Sequence, residues 1–125
     1  MKITVPEDCG NAPRKKLIHD FTLAFAENNK EKILEFMADD IEWIMVGDKI
    51  MNGKEEAAKS LETMGDEIAE ELILDTIITH GDTAACDGII KYSKRAVAFC
   101  DVYKFTGHDK DAKIRQLTGY AIELK

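Results

Sequence analysis

From Ile68 to the end of the chain the apolar residues recur with a period of two, and three turn signals cut this half into four long alternating runs. The runs are roughly Ile68 to Thr79, Thr83 to Ser93, Ala96 to Thr106 and Ala112 to Leu124. Between them stand His80-Gly81-Asp82, Ser93-Lys94-Arg95 and Gly107-His108-Asp109-Lys110-Asp111. A ten-residue strand spans about 33 Å at ~3.3 Å per residue, too long to lie flat beside short helices. The sheet therefore has to twist and curl. Both of its faces are partly apolar, with Leu72, Leu74 and Ile78 alternating with Ile73 and Ile77, and with Ala96, Ala98, Cys100 and Val102 opposite the Phe99 and Tyr103 face. One face can wrap helices and the other needs a cover, which predicts a homodimer through the outer sheet face.

The first half has a different period. Residues 1–12 read as an irregular lead-in, broken by Pro6 and Gly10 and followed by Pro13. A helix is expected from Pro13 to Asn28, with Leu17, Phe21, Ala24 and Phe25 on one face and His19 solvated. Asn28-Asn29 ends it, and Lys30 to Met37 makes a second helix that Ala38-Asp39-Asp40 stops. Ile41 to Val46 then reads as a strand, Gly47-Asp48 as a turn and Lys49-Ile50-Met51 as a short strand. A third helix follows from Lys54 to Met64, burying Ala57, Ala58, Leu61 and Met64, with Gly65 as its left-handed cap. The expected class is α+β in a single domain over 1–125, a strongly curved antiparallel sheet wrapped around three helices from the N-terminal half.

Composition narrows the function classes. Apolar residues make up 45% and charged residues 33%, the balance of a folded globular chain, and the net charge of -7 argues against nucleic acid or an anionic membrane as partner. No apolar run approaches the roughly 20 residues that cross a bilayer, and the N-terminal segment lacks a signal-peptide core, so a cytoplasmic protein with no membrane contact is expected. Cys9, Cys86 and Cys100 show no CxxC spacing, and Cys86 and Cys100 read as small buried apolar residues. His19, His80 and His108 have no metal-ligand spacing, and no phosphate loop, nucleophile elbow or Cys-His arrangement is visible, so neither a metal nor another cofactor is expected.

One residue stands out inside the third long run. Val97, Phe99, Asp101, Tyr103 and Phe105 share a face, which sets a single carboxylate in a row of large apolar groups. Burial of a carboxylate is expensive unless it is hydrogen-bonded or neutral, so Asp101 reads either as a site or as a satisfied structural residue. In a pocket its pKa would rise by desolvation and suit it to proton transfer. Its cross-strand partner depends on the preceding hairpin. A three-residue loop at Ser93-Lys94-Arg95 would put Asp87 opposite Asp101 as a dyad. A two-residue loop would instead place Ala84, Cys86, Gly88, Ile90 and Tyr92 with Phe99 and Asp101, leaving Asp87 outward with Lys91. The second is the more apolar match and is the expected register.

Several segments in this order carry a family resemblance: Phe25 to Asn29, Ile33 to Asp40 leading into Ile41-Glu42-Trp43, Met51 to Glu56, Gly81-Asp82-Thr83, Asp101 to Phe105 and Lys113-Ile114-Arg115. Together they resemble the nuclear transport factor 2-like superfamily, in particular its SnoaL-like and ketosteroid-isomerase-like members. The resemblance implies a cone, a curved sheet closed by three helices around a pocket at the wide end. In the ketosteroid isomerases that pocket holds a protonated aspartate, an oxyanion-binding tyrosine and a base aspartate. Carried over, these positions fall on Asp101, Phe21 and Met45, so two of the three groups are missing. Limonene-epoxide-hydrolase-like members use an arginine and two aspartates; Phe99 stands two residues before Asp101, where the arginine would be wanted.

The expected site is thus Asp101 as the catalytic group, in a pocket drawn from Phe21, Phe25, Trp43, Met45, Leu61, Phe99 and Tyr103. The resemblance turns Trp43 and Met45 toward the cavity, with core packing an equal reading for them, while Phe21, Phe25 and Leu61 read rather as ordinary core. The expected ligand is a small hydrophobic or aromatic molecule, and the chemistry acid-base catalysis of isomerase, cyclase or hydratase type. The alternative from another class is a non-catalytic ligand-binding or dimerisation module.

Overall fold

The computed structural model describes residues 1–6, 13–107 and 111–124. Expectations placed on 7–12, including Cys9, and on His108 to Lys110 lie outside the described residues. The elements run β1 (Lys2–Thr4), α1 (Pro13–Ala26), α2 (Lys30–Glu35), β2 (Met37–Met45), β3 (Lys49–Asn52), α3 (Lys54–Thr63), β4 (Glu71–His80), β5 (Thr83–Lys91), β6 (Ala96–Phe105) and β7 (Ile114–Leu124). All the strands join one curved, open sheet in the order β1-β4-β5-β6-β7-β2-β3. The α+β class and the curved sheet hold. β4 to β7 form the antiparallel meander, whereas β1 pairs with β4, and β2 with β7, in parallel.

The helices cover the inner face. α1 packs on β4, α2 on α1 and α3, and α3 on β2 and β3. Asn28 ends the first helical segment in the left-handed region at φ 57°, and Asn29 caps α2 by accepting from the Lys32 amide at 3.2 Å. Gly65 follows α3 at φ 82°, the left-handed position that glycine occupies without strain. The core gathers Ile18, Phe21, Ile33, Ile41, Leu72, Tyr103, Phe105 and Ile114 between helices and sheet.

Four details depart from the sequence reading. Lys2 to Thr4 is a strand: it lies along the sheet edge, exposed at every residue, so it has no alternation to read. The second helix ends at Glu35, and Met37 to Asp40 belong to β2, where the pairing with β7 shifts register between Met37 and Glu42 and leaves Asp39 and Asp40 exposed. The buried stripe of α1 runs through Ile18, Phe21 and Thr22, with Leu17 only half-buried. Finally, a bulge between Leu74 and Thr76 flips the parity of β4, so Ile77 points inward and Ile78 outward, against the face assigned by simple alternation.

Candidate functional site

The hairpin between β5 and β6 closes on Ser93-Lys94, with the Tyr92 amide donating to the Arg95 carbonyl at 2.8 Å. That two-residue loop places Cys86 opposite Asp101 and Gly88 opposite Phe99. Asp87 faces Cys100 on the other side of the sheet, so no Asp87–Asp101 dyad exists. On its other flank Asp101 pairs with Gly119 of β7, and Gly119 pairs in turn with Met45 of β2. The inner row of β6 therefore crosses the middle of the sheet beneath α1.

Under this row lies a cavity of about 500 Å³. Its inner wall includes Phe21, Thr22, Phe25, Trp43, Met45, Phe99, Asp101, Leu117 and Gly119. Val46, Gly47, Asp48, Met64, Arg95, Tyr120 and Ala121 are its exposed lining residues and form the rim. Met64, expected in the core, is 41% exposed there. Among the lining residues only Asp48, Arg95 and Asp101 are charged, and Asp101 alone of these lies away from the rim. Arg95 rests over the Tyr92 ring, 4.3 Å from guanidinium carbon to ring centre, and reaches Glu67 at 3.3 Å.

The Asp101 carboxyl is held from one side. Tyr103 donates its hydroxyl to Asp101 Oδ2 at 3.4 Å and meets Cys86 Sγ at 3.3 Å. Thr22, whose own hydroxyl donates to the Ile18 carbonyl at 2.8 Å, interacts with both Tyr103 and Cys86. Burial drives the Asp101 carboxyl up to about 7, with the Tyr103 hydrogen bond pulling weakly the other way. Burial likewise pushes the Cys86 thiol up to about 12, helped by the Asp101 charge, and raises the Tyr103 phenol. Near neutral pH the thiol and phenol stay protonated while Asp101 is divided between its two forms. A single titrating carboxyl in an apolar chamber can give or take a proton there.

Phe21, Phe25, Trp43, Met45 and Phe99 line the cavity together with Asp101. Leu61 and Tyr103 do not. Leu61 is 2% exposed in the core under α3, and Tyr103 is fully buried behind Asp101, which it touches through its hydroxyl. Thr22, Cys86 and Gly119 were not singled out as site residues from sequence. Each left a faint signal: a threonine inside an apolar helical stripe, a cysteine on the inner alternation of β5, and a glycine in mid-strand.

No protein-family model and no curated protein sequence matches this chain. Solved structures do. A protein of unknown function from Burkholderia xenovorans superposes with a TM-score of 0.72 at 14% identity, covering 91% of this chain and 85% of its own, and is described as nuclear transport factor 2-like. The fold is nuclear transport factor 2-like. A second protein so described, from Cytophaga hutchinsonii, gives a TM-score of 0.63 at 22% identity over 86% of this chain and 97% of its own. An LEH-like epoxide hydrolase from M. tuberculosis superposes with a TM-score of 0.66 at 18% identity, over 86% of this chain and 80% of its own. At such identities the likeness is one of fold.

Proposed function

We propose that the cavity binds a small, largely apolar organic molecule and that Asp101 exchanges a proton with a polar atom of it, in a reaction of isomerase, cyclase or hydratase type. The observation that carries this reading is the position of Asp101: a carboxyl near its midpoint at neutral pH, on the inner wall of an apolar chamber open to solvent. The volume of about 500 Å³ falls in the range of small-molecule sites. One carboxyl is sufficient for an isomerisation, since the proton it takes from one atom of the ligand can return to another. Tyr103 positions the acid, and burial keeps the carboxyl divided between its two forms near neutral pH.

Trp43 is the only tryptophan and lines the cavity, so ligand entry is read directly from its emission. A panel of apolar ring compounds is screened this way, and those that bind are followed for conversion. Asp101→Asn should still admit purely apolar ring compounds, hold polar ones more weakly, and lose turnover by roughly 10²–10⁴-fold. Unchanged turnover in that variant would sink the acid-base role, and binding without conversion by the wild type would favour the non-catalytic ligand module.

We further infer that a second copy covers the outer sheet face, where Ile78 and Ile122 stand 60% and 69% exposed on either side of Ala85, Ala98 and Val102. Light scattering should give twice the 14.0 kDa chain mass, and Ile122→Lys should halve it. A strict monomer for the wild type removes this inference. Among the described residues no helix is long and apolar enough to cross a membrane.

A further inference from the structure

A glycine in the interior of a strand costs roughly 0.5–1 kcal/mol relative to alanine and needs a reason. Two glycines stand on the inner face of the sheet beside β6, and their reasons differ. A Cβ on Gly88 would lie 2.0 Å from the Ile73 carbonyl oxygen, at the bulge of β4, so backbone packing forbids a side chain there. Gly119 meets no such obstacle. Its backbone is outside the left-handed region, and the atoms within 4 Å of an added Cβ are Asp101 Oδ1 at 3.0 Å and the Ile44 carbonyl oxygen at 4.0 Å. What the missing side chain spares is one oxygen of the acid.

The two oxygens of Asp101 are thereby given different surroundings. Oδ2 accepts from Tyr103. Oδ1 faces the space over Gly119, which Met45 bounds on the far side because it pairs with Gly119 from β2. Ala121, the next inward residue of β7, also lines the cavity and pairs with Phe99, so the floor stays low from there to Asp101. Since Oδ2 is engaged as an acceptor, the proton of the neutral acid resides on Oδ1.

We propose that Gly119 is a specificity-determining residue of this site: by withholding a side chain it opens Asp101 Oδ1 to the cavity, so that the ligand lies over β7 between Asp101 and Met45 and is met by that oxygen. This rests on the reading that the cavity binds its ligand through Asp101. The ligand it fits has one hydrogen-bonding atom toward β6 and an apolar edge toward the Met45 thioether. Any Cβ at 119 competes for the place of that atom. The carboxyl cannot turn aside freely, because Tyr103 holds it from behind.

The test compares wild type, Gly119→Ala and Asp101→Asn with two probes, naphthalene and 2-naphthol, read by Trp43 emission, and follows the Asp101 carboxyl by carbon-13 NMR across pH without any probe. Gly119→Ala should bind naphthalene as the wild type does and 2-naphthol about tenfold more weakly. Its carboxyl midpoint should rise by about one unit, since the added methyl takes water from Oδ1. An unmoved midpoint overturns the proposal, as does equal weakening of both probes, which would make Gly119 mere cavity volume, or no weakening of either. Equal affinity of 2-naphthol for wild type and Asp101→Asn would remove the underlying ligand reading instead. If neither probe enters the wild type, the carboxyl titration alone decides the role of Gly119.

Discussion

The inner face of β6 is two different surfaces on one strand. At one end Tyr103 and Phe105 are completely enclosed, with the Phe21 ring edge-on to Tyr103 at 6.0 Å and the Arg14 guanidinium over Phe105 at 4.1 Å. At the other end Val97, Phe99 and Asp101 are half-buried and line the cavity. The alternation is the same throughout. The difference lies in the neighbours: Phe99 is flanked by Gly88 and Ala121, and Asp101 by Cys86 and Gly119, whereas Tyr103 lies between Ala84 and Leu117 with Phe21 of α1 edge-on above it. A cavity forms where both adjoining strands bring small residues, and a core forms where a large neighbour on one strand and an aromatic ring from the helix close over the row.

Truncation on the two sides of this boundary should separate them most strongly. Tyr103→Ala should destabilise the protein by about 4 kcal/mol in urea denaturation, while Phe99→Ala costs about 1 kcal/mol because the space beside Phe99 is already open. Equal losses would mean that the cavity is packed in solution.

The acid at the boundary should make stability depend on pH in the unusual direction. The unfolded carboxyl titrates near its model value of 3.8 and the folded one near about 7, so between them the folded state holds a proton that the unfolded state has released. Stability contributed by this group therefore falls as pH rises through that window, by about 1.4 kcal/mol per unit, and levels off above it. Asp101→Asn removes the slope, so denaturation should show this variant gaining about 2 kcal/mol on the wild type from about pH 5 to about pH 7. Parallel profiles would place the carboxyl in water and end its role as a buried acid.

Smaller effects sharpen the contrast between the glycines. Gly88→Ala should cost about 2 kcal/mol through its clash with the β4 backbone, and Gly119→Ala less than about 1 kcal/mol. The mildest comparison concerns the two cysteines that pair across from Asp87 and Asp101. In the Ile122→Lys variant, whose outer sheet face is uncovered, peptide mapping after brief treatment with a thiol reagent should find Cys100 modified and Cys86 intact, since Cys100 is exposed on the single chain and Cys86 is buried with its thiol pushed up to about 12. Equal labelling would show that the inner face of β5 opens.

Much of this was legible in the residues. The long alternating runs announced the meander, their length required curvature, and the more apolar match chose the register that keeps Asp87 away from Asp101. The edge strand at Lys2 to Thr4 was not legible, because an exposed edge has no buried face to leave a pattern. The reversal of Ile77 and Ile78 was hidden for a related reason: one bulged residue changes the parity of everything beyond it. Tyr103 looked like a pocket wall by alternation, yet it stands behind the acid, since whether an inward residue meets a cavity or a helix depends on what α1 lays over it.

By itself the sequence determined the four-strand meander, the curl of the sheet and the place of Asp101 on its inward row, because period and turn chemistry are local properties. Only the tertiary structure decided that Asp101 sits between Cys86 and Gly119 on a cavity wall, that Tyr103 takes one of its oxygens and that the other lies over Gly119. Those contacts join residues far apart in the chain, and their geometry comes from pairing and packing that no single strand encodes.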